Sequence, residues 1–312
     1  MITFLKLIRW QNILIIWFSM FFMLFCVIYP VLGMGYFEAG LNITQFMMLI
    51  ASTTFISIAG YLLNDLFDIK PDSINKPGKN VVGRKLRVHV VQILYWVFNI
   101  SGILFGVYVA YAIGKINYSL VFVFAAGLLW FYSERYQCQP IIGNIVVAFL
   151  SALTVAIVWL FSFFALIKDP IFFTNVQQQF ASLNMFVLIF SGFAFLTSFI
   201  REMVKDMQDI EGDDRFGCRT FPVVNGIKKA KWIAVTTIFA SLVLSIWCQV
   251  YFVAASYQKL FYYFFIIDLL LVVAGYMILK ANMKKDFKKV SGIIKLLMIM
   301  GILSMGLVYF DY

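Results

Sequence analysis

Nine apolar runs, each long enough to cross a bilayer, constrain this sequence more than any other feature. A membrane-spanning helix needs about 20 apolar residues, because the hydrocarbon core is about 30 Å thick. The composition is that of an integral membrane protein, since 63% of the 312 residues are hydrophobic and only 13% are charged. The runs are continuous and lack the alternation of outer-membrane strands, so helices are predicted. The spans are expected near residues 10–30, 44–64, 88–112, 117–133, 141–166, 184–202, 231–254, 259–280 and 290–310.

The predicted fold class is therefore an all-α, polytopic membrane protein. One compact bundle accounts for residues 1–312 as a single domain, and no second domain is needed. The four cysteines are scattered without paired or metal-ligand spacing, so no disulfide framework is expected.

The distribution of lysine and arginine predicts the orientation of the spans. With the N-terminus inside, 21 of the 25 basic residues fall on the cytoplasmic side: two before the first span, six in 70–87, Arg135, seven in 201–231 and five in 280–289. The opposite side holds Lys115, Lys168 and Lys259. By the positive-inside rule the protein is expected in the cytoplasmic membrane with its N-terminus in the cytoplasm. The net charge of +10 follows from this topology, and no nucleic-acid partner is predicted.

Two acidic motifs with identical spacing follow the second and the sixth predicted spans. The sequences NDLFDIKPDSINKP and REMVKDMQDIEGDD both contain DxxDxxxD. The first two acids of each motif share one face of a helix end, and Pro71 or Gly212 is expected to break the helix before the third. Both motifs are predicted to face the cytoplasm, where they can meet. The six carboxylates are Asp65, Asp68 and Asp72 in the first motif and Asp206, Asp209 and Asp213 in the second.

Facing carboxylates repel one another, so cations are expected between them. Oxygen donors on two sides suit Mg²⁺, which takes one or two protein carboxylates and completes its shell with water and phosphate. The basic residues among the acids could bind that phosphate. They are Lys70, Lys76, Lys79 and Arg84 after the second span, and Arg201, Lys205, Arg215 and Arg219 after the sixth.

These motifs resemble those of the UbiA-type intramembrane prenyltransferases. The resemblance lies in NDxxDxxxDxxNKP after the second span, DxxDxxxD after the sixth, and nine spans. It implies a ring of helices around a cavity open to lipid, capped by the two acidic loops. It also implies an Mg²⁺-bound polyprenyl diphosphate, with two ions, whose allylic carbon is transferred to an amphipathic or aromatic acceptor. The active site would then lie on the cytoplasmic face.

The resemblance assigns roles to individual residues. All six aspartates are expected to bind metal, and Asp65, Asp68, Asp206 and Asp209 to be catalytic. RWQN at residues 9–12 resembles the Arg and Asn pair entering the first helix of such enzymes, and Tyr132, Gly143 and Asn144 match a second pattern. Gln137 stands where the family has a lysine, so Arg135 is the substitute. The predicted diphosphate ligands are Asn64, Lys76, Arg84, Lys205, Arg9 and Arg135, and the other predicted substrate contacts are Asn12, Tyr132 and Asn144.

The sequence is compatible with three classes of prenyl acceptor and with one function of another kind. REMVKDMQDIEGD followed by RTFP resembles the branch that transfers geranylgeranyl to a glycerol-phosphate ether, which is the preferred reading. C-prenylation of an aromatic quinone precursor is the alternative. The haem-farnesylating branch fits less well, because Ile69 replaces its usual arginine. A transporter is only a remote alternative. Transport sites lie near the middle of the membrane, but here the span interiors carry few charges and the acids gather at one surface.

Overall fold

The computed structural model describes residues 2–75 and 81–311, and all regular elements in these ranges are helical. Nine helices of this part are long and apolar enough to cross a membrane. This confirms the predicted all-α, multi-pass fold class. The helices are α1 (Trp10–Leu32), α2 (Ile43–Phe67), α3 (Val88–Ala112), α4 (Ile116–Glu134), α5 (Ile142–Leu166), α6 (Phe180–Arg215), α7 (Phe221–Ala254), α8 (Gln258–Lys280) and α9 (Lys284–Asp311).

Local sequence signals fix the ends of several helices. At the start of α2, the Asn42 side chain accepts a hydrogen bond from the Gln45 amide, and the Gln45 side chain accepts one from the Asn42 amide. This reciprocal capping box satisfies two amides that the helix cannot satisfy itself. In α1, the segment Met23–Ile28 is π-helical just before Pro30, whose ring cannot fit a regular helix interior.

Helix α6 runs well beyond the apolar span predicted at 184–202, and it ends at Arg215. The prediction that Gly212 breaks this helix is wrong. The chain turns away from the helix at Gly217, two residues after Arg215, where φ is 76°. The Gly217 amide donates a hydrogen bond to the Asp214 carbonyl, and the Cys218 amide donates one to the Asp213 carbonyl. These two bonds define a Schellman motif, in which a glycine adopts the left-handed conformation at low cost.

The break after the second span also differs from its prediction. Helix α2 ends at Phe67, and a short helix, Ile69–Asn75, begins directly afterwards. The turn therefore lies at Asp68. Pro71 does not break a helix, because it lies in the first turn of the short helix, where its missing amide hydrogen is not needed.

The helices pack in a succession that returns from α9 to α1. Helix α2 packs against α3 and α4, while α6 packs against α5, α7 and α9. Large apolar side chains such as Trp96, Phe239 and Val250 are exposed on the outer faces of α3 and α7. Exposed apolar surface on this scale is expected where helices face lipid. Inside the bundle, residues of α1, α2, α4, α5, α6, α8 and α9 enclose a large cavity.

Close approach between α3 and α4 depends on a missing side chain. A Cβ atom added at Gly106 would lie 2.3 Å from a ring carbon of Phe122. We expect Gly106→Ala to lower the free energy of unfolding by about 1–3 kcal/mol, because the buried Phe122 ring would have to move. Thermal unfolding in detergent measures the change. Gly127→Ala on α4 is the control, since nothing lies within 4 Å of its added Cβ. An unchanged Tm for Gly106→Ala would contradict this account of the packing.

Candidate active site

The two acidic helix ends meet at a small, polar cavity of about 50 Å³. Carboxylates from both motifs line it, which confirms the prediction that the motifs face each other. Among the described residues that line it, Lys205 is the one cation. The lining aspartates are Asp68, Asp72, Asp206, Asp209 and Asp213.

Asn75 joins the two acidic segments directly. Its side-chain oxygen accepts a hydrogen bond from the Gly212 amide at 3.0 Å, and its side-chain nitrogen lies 3.5 Å from the Asp213 carboxylate. An added Cβ at Gly212 would lie 2.5 Å from the Asn75 side chain. Gly212 is therefore required for close approach between the short helix and α6, rather than for ending α6.

Neutral side chains hold other carboxylates of this cavity. Asn144 donates a hydrogen bond to Asp206 at 2.7 Å, and Gln137 donates one to Asp68 at 3.3 Å. A Cβ at Gly143 would lie 2.6 Å from the carbonyl oxygen of Tyr136, so only glycine allows the start of α5 to pack here. The sequence pattern of Gly143 and Asn144 thus has a physical purpose: it brings an amide donor to the second acidic motif.

Asp65 is not among the described residues that line the small cavity, and it pairs with Arg9 instead. Its carboxylate accepts a hydrogen bond from the Arg9 guanidinium at 2.8 Å, and that guanidinium also lies 4.9 Å from the centre of the Tyr61 ring. Burial by itself lowers the pKa of Arg9, but the charge and hydrogen bond of Asp65, together with Tyr61 and Asp68, outweigh that effect and raise it. Asp65 therefore fixes the position of Arg9 at the entrance to α1.

A larger cavity of about 240 Å³ extends into the bundle from the acidic end. Its walls are mainly apolar. Arg9, Asn12, Asn64 and Lys205 lie among its lining residues. Tyr132 and Lys205 line both cavities, so the two cavities adjoin at these residues.

Some of the predicted ligands line neither cavity. Arg84 and Arg135 are exposed and line neither one. Lys76 lies outside the described residues. Asn12, Asn64, Tyr132 and Asn144 all lie at the cavities or in contact with a lining carboxylate.

Sequence reasoning missed several polar residues at these cavities. Asn75, Gln137 and Thr220 line the small cavity, and Thr220 donates a hydrogen bond to Asp213 at 3.3 Å. Glu202 lies in the large cavity, where it is buried between Arg201 and Lys205 at 2.9 and 3.4 Å. Its sequence signal was a glutamate at the very end of the apolar span predicted at 184–202, where the chain is still close to the membrane interior.

The structure contains one disulfide that the cysteine spacing did not make evident. Cys138, in the loop before α5, is bonded to Cys218, which follows α6. The two residues are 80 positions apart in the sequence, and only tertiary packing brings their Cα atoms to 4.4 Å. The bond joins the loop that carries Gln137 to the end of the second acidic motif. Cys26 and Cys248 are free thiols.

The donor set of the small cavity fits Mg²⁺. It offers carboxylate, amide and hydroxyl oxygens, which are the ligands of hard cations. Across residues 2–75 and 81–311, no three acidic, histidine or cysteine side chains converge tightly enough to hold a metal on their own. A site with fewer protein ligands still suits Mg²⁺, which keeps several positions for water and phosphate.

Comparison with known proteins identifies the family of this chain. The model of the UbiA prenyltransferase family matches residues 33–299. The chain therefore belongs to the UbiA prenyltransferase family, and it is a membrane-embedded prenyltransferase, as the two motifs predicted. Among curated relatives, digeranylgeranylglyceryl phosphate synthase of Thermococcus sibiricus is 28% identical over 248 residues, covering 78% of each chain. The enzyme of that name from Methanococcoides burtonii is 26% identical over 278 residues, covering 89% of each.

Solved structures share the whole fold. One, described as giving insights into digeranylgeranylglyceryl phosphate synthase in membranes, has a TM-score of 0.62 and 26% identity and covers 98% of both chains. A UbiA homolog from Archaeoglobus fulgidus, bound to DMAPP and Mg²⁺, has a TM-score of 0.58 over 97% of this chain and 99% of its own. At 13% identity, the second likeness concerns the fold alone.

Thiol labelling tests the disulfide. When the protein is unfolded without reductant, we expect a maleimide reagent to label two cysteines, Cys26 and Cys248, because the other pair is bonded. Reduction before labelling should raise the number to four. Intact-mass spectrometry counts the labels, and Cys138→Ser should free Cys218 for labelling without reductant. Four labels on the unreduced wild type would contradict the disulfide.

Proposed function

We propose that this prenyltransferase moves a geranylgeranyl group from its diphosphate to a glycerol-phosphate ether lipid. The observation that supports the proposal most is the junction of the two cavities: an aspartate-rich cavity adjoins an apolar one at Tyr132 and Lys205. An isoprenoid diphosphate has the same two parts, a charged head and an apolar chain. The names of the curated relatives support the glyceryl phosphate acceptor.

In this proposal the helices form a ring with its acidic end at the cytoplasmic face and the N-terminus in the cytoplasm. The excess of basic residues on that side supports the orientation. A lipid-soluble chain can then stay in the bundle while its diphosphate remains near water.

Mg²⁺ is the proposed cofactor, with two ions held by carboxylates of the two motifs. Asp68 and Asp72 would serve from the first motif, and Asp206, Asp209 and Asp213 from the second, because these five line one cavity. When bound, Mg²⁺ neutralises the negative charge that develops on the departing diphosphate.

The chain's own residues prepare the donor for reaction. Lys205 lies at the junction, where its ammonium can bind a diphosphate oxygen next to the acidic cavity. Arg9, oriented by Asp65, and Asn64 offer further donors from the same end of the large cavity. The carbon–oxygen bond to the diphosphate breaks, the acceptor hydroxyl oxygen bonds to that allylic carbon, and the hydroxyl proton is released. The apolar walls keep water away from the allylic cation.

Loss of one acidic side chain tests the metal site. We expect Asp206→Asn to lower turnover about 100-fold or more, because preorganised charge at a leaving group is worth this much or more. The same variant should bind less Mn²⁺, used as a spectroscopic substitute for Mg²⁺, in an EPR titration without substrate. Asp214→Asn is the matched control, since Asp214 is exposed on the same helix and lines neither cavity. Wild-type turnover and Mn²⁺ binding in Asp206→Asn would refute the site.

A parallel acceptor assay tests the function. Purified protein with Mg²⁺ and radiolabelled geranylgeranyl diphosphate is offered either geranylgeranylglyceryl phosphate or a hydroxylated aromatic acid, with EDTA controls. We expect EDTA-sensitive transfer to the glyceryl phosphate only. Transfer to the aromatic acid alone would assign the protein to quinone synthesis instead.

A further inference from the structure

Lys295 is the one charged side chain between Val290 and Phe310, in the apolar part of α9. It is half-buried and lines the large cavity. Its ammonium donates a hydrogen bond to the side-chain oxygen of Gln11 at 3.2 Å. In residues 2–75 and 81–311 it forms no ion pair with a carboxylate. A lysine at membrane depth is costly and usually marks a functional site.

Arg201 supplies a second cation to the same cavity from α6, which packs against α9. One of its terminal nitrogens bonds Glu202, but its buried Nε atom has no hydrogen-bond partner in the described structure. Glu202 also forms an ion pair with Lys205. Among the described residues that line this cavity, Glu202 is the one carboxylate, whereas Arg9, Arg201, Lys205 and Lys295 are cations. Even with Arg9 paired to Asp65, the cavity has an excess of positive charge.

The positive charge of Arg201 and Lys295 lies away from the acidic cavity. Arg201 precedes Lys205 by four residues, so it lies about one helical turn, roughly 5–6 Å, farther into the apolar cavity. Arg201 and Lys295 line only the large cavity, whereas Lys205 also lines the small one. The structure thus provides a place for a second anion, beyond the proposed diphosphate site.

We propose that Arg201 and Lys295 bind the phosphate of the prenyl acceptor. This inference rests on the proposed function, and it names the part of the site that selects a phosphorylated acceptor. In a glycerol phosphate the reacting hydroxyl and the phosphate are a few bonds apart. A phosphate bound about one helical turn from Lys205 therefore leaves the hydroxyl close to the allylic carbon of the donor. Guanidinium and ammonium groups are the protein's usual phosphate ligands.

The test compares two acceptors that differ by one phosphate, geranylgeranylglyceryl phosphate and geranylgeranylglycerol, at saturating geranylgeranyl diphosphate. Wild-type protein should prefer the phosphorylated acceptor. In Lys295→Gln we expect the KM for geranylgeranylglyceryl phosphate to rise about tenfold, because loss of a charged hydrogen bond typically has an effect of this size. The KM for geranylgeranyl diphosphate should stay unchanged. The reaction with geranylgeranylglycerol should also stay unchanged, because that acceptor has no phosphate to lose. Lys295→Arg should restore most of the preference.

Arg201→Gln should raise the KM for geranylgeranylglyceryl phosphate in the same way. Lys289→Gln, on the exposed face of the same helix, is the control for Lys295→Gln, and Arg215→Gln is the control for Arg201→Gln. In the described part of the structure Gln11 is the one hydrogen-bond partner of the Lys295 side chain, so Lys295→Gln keeps the test valid if Arg201→Gln fails to fold. A raised KM for geranylgeranyl diphosphate would assign these cations to the donor and overturn the inference. Equal losses with both acceptors would overturn it as well. Wild-type protein that uses neither acceptor would instead refute the proposed function, and the acceptor assignment with it.

Discussion

Five carboxylates around one small cavity are the constraint on which the rest of the structure depends. Like charges at close range repel, so the ends of α2 and α6 would not approach each other unless other groups held them. Among the described residues, three of those groups are neutral amides. Asn75 bonds the backbone of α6 at Gly212, Asn144 bonds Asp206, and Gln137 bonds Asp68. Amides can hold carboxylates in place without cancelling their charge, and the cavity therefore keeps its affinity for cations.

The same geometry places a polar environment and an apolar environment side by side in one site. The acidic cavity lies at the helix ends, and the apolar cavity lies within the bundle, with Lys205 and Tyr132 between them. Lys205 is held by Glu202, which is buried one turn away. A diphosphate head and an isoprenoid chain need these two environments side by side. Arg201 and Lys295 add positive charge where the walls are otherwise apolar, which distinguishes this cavity from a simple lipid tunnel.

The sequence predicted the helical class, the number of spans and the meeting of the two acidic motifs, because hydrophobic length and repeated spacing are local properties. It misjudged local features whose cause is a distant partner. Gly212 looked like a helix breaker, yet its partner is Asn75, 137 residues away. Arg84 was predicted as a diphosphate ligand because it is basic and follows the first motif, but the fold leaves it exposed and away from both cavities.

The sequence by itself determined that this chain crosses a membrane and that it carries two matched acidic motifs, since both facts depend on residue type and spacing alone. Only the tertiary structure decided which side chains share a cavity. It paired Asp65 with Arg9, bonded Cys138 to Cys218, and brought Lys295 of the last helix to the cavity that Arg201 lines. The physical reason is that helix packing, rather than distance along the chain, sets which residues become neighbours.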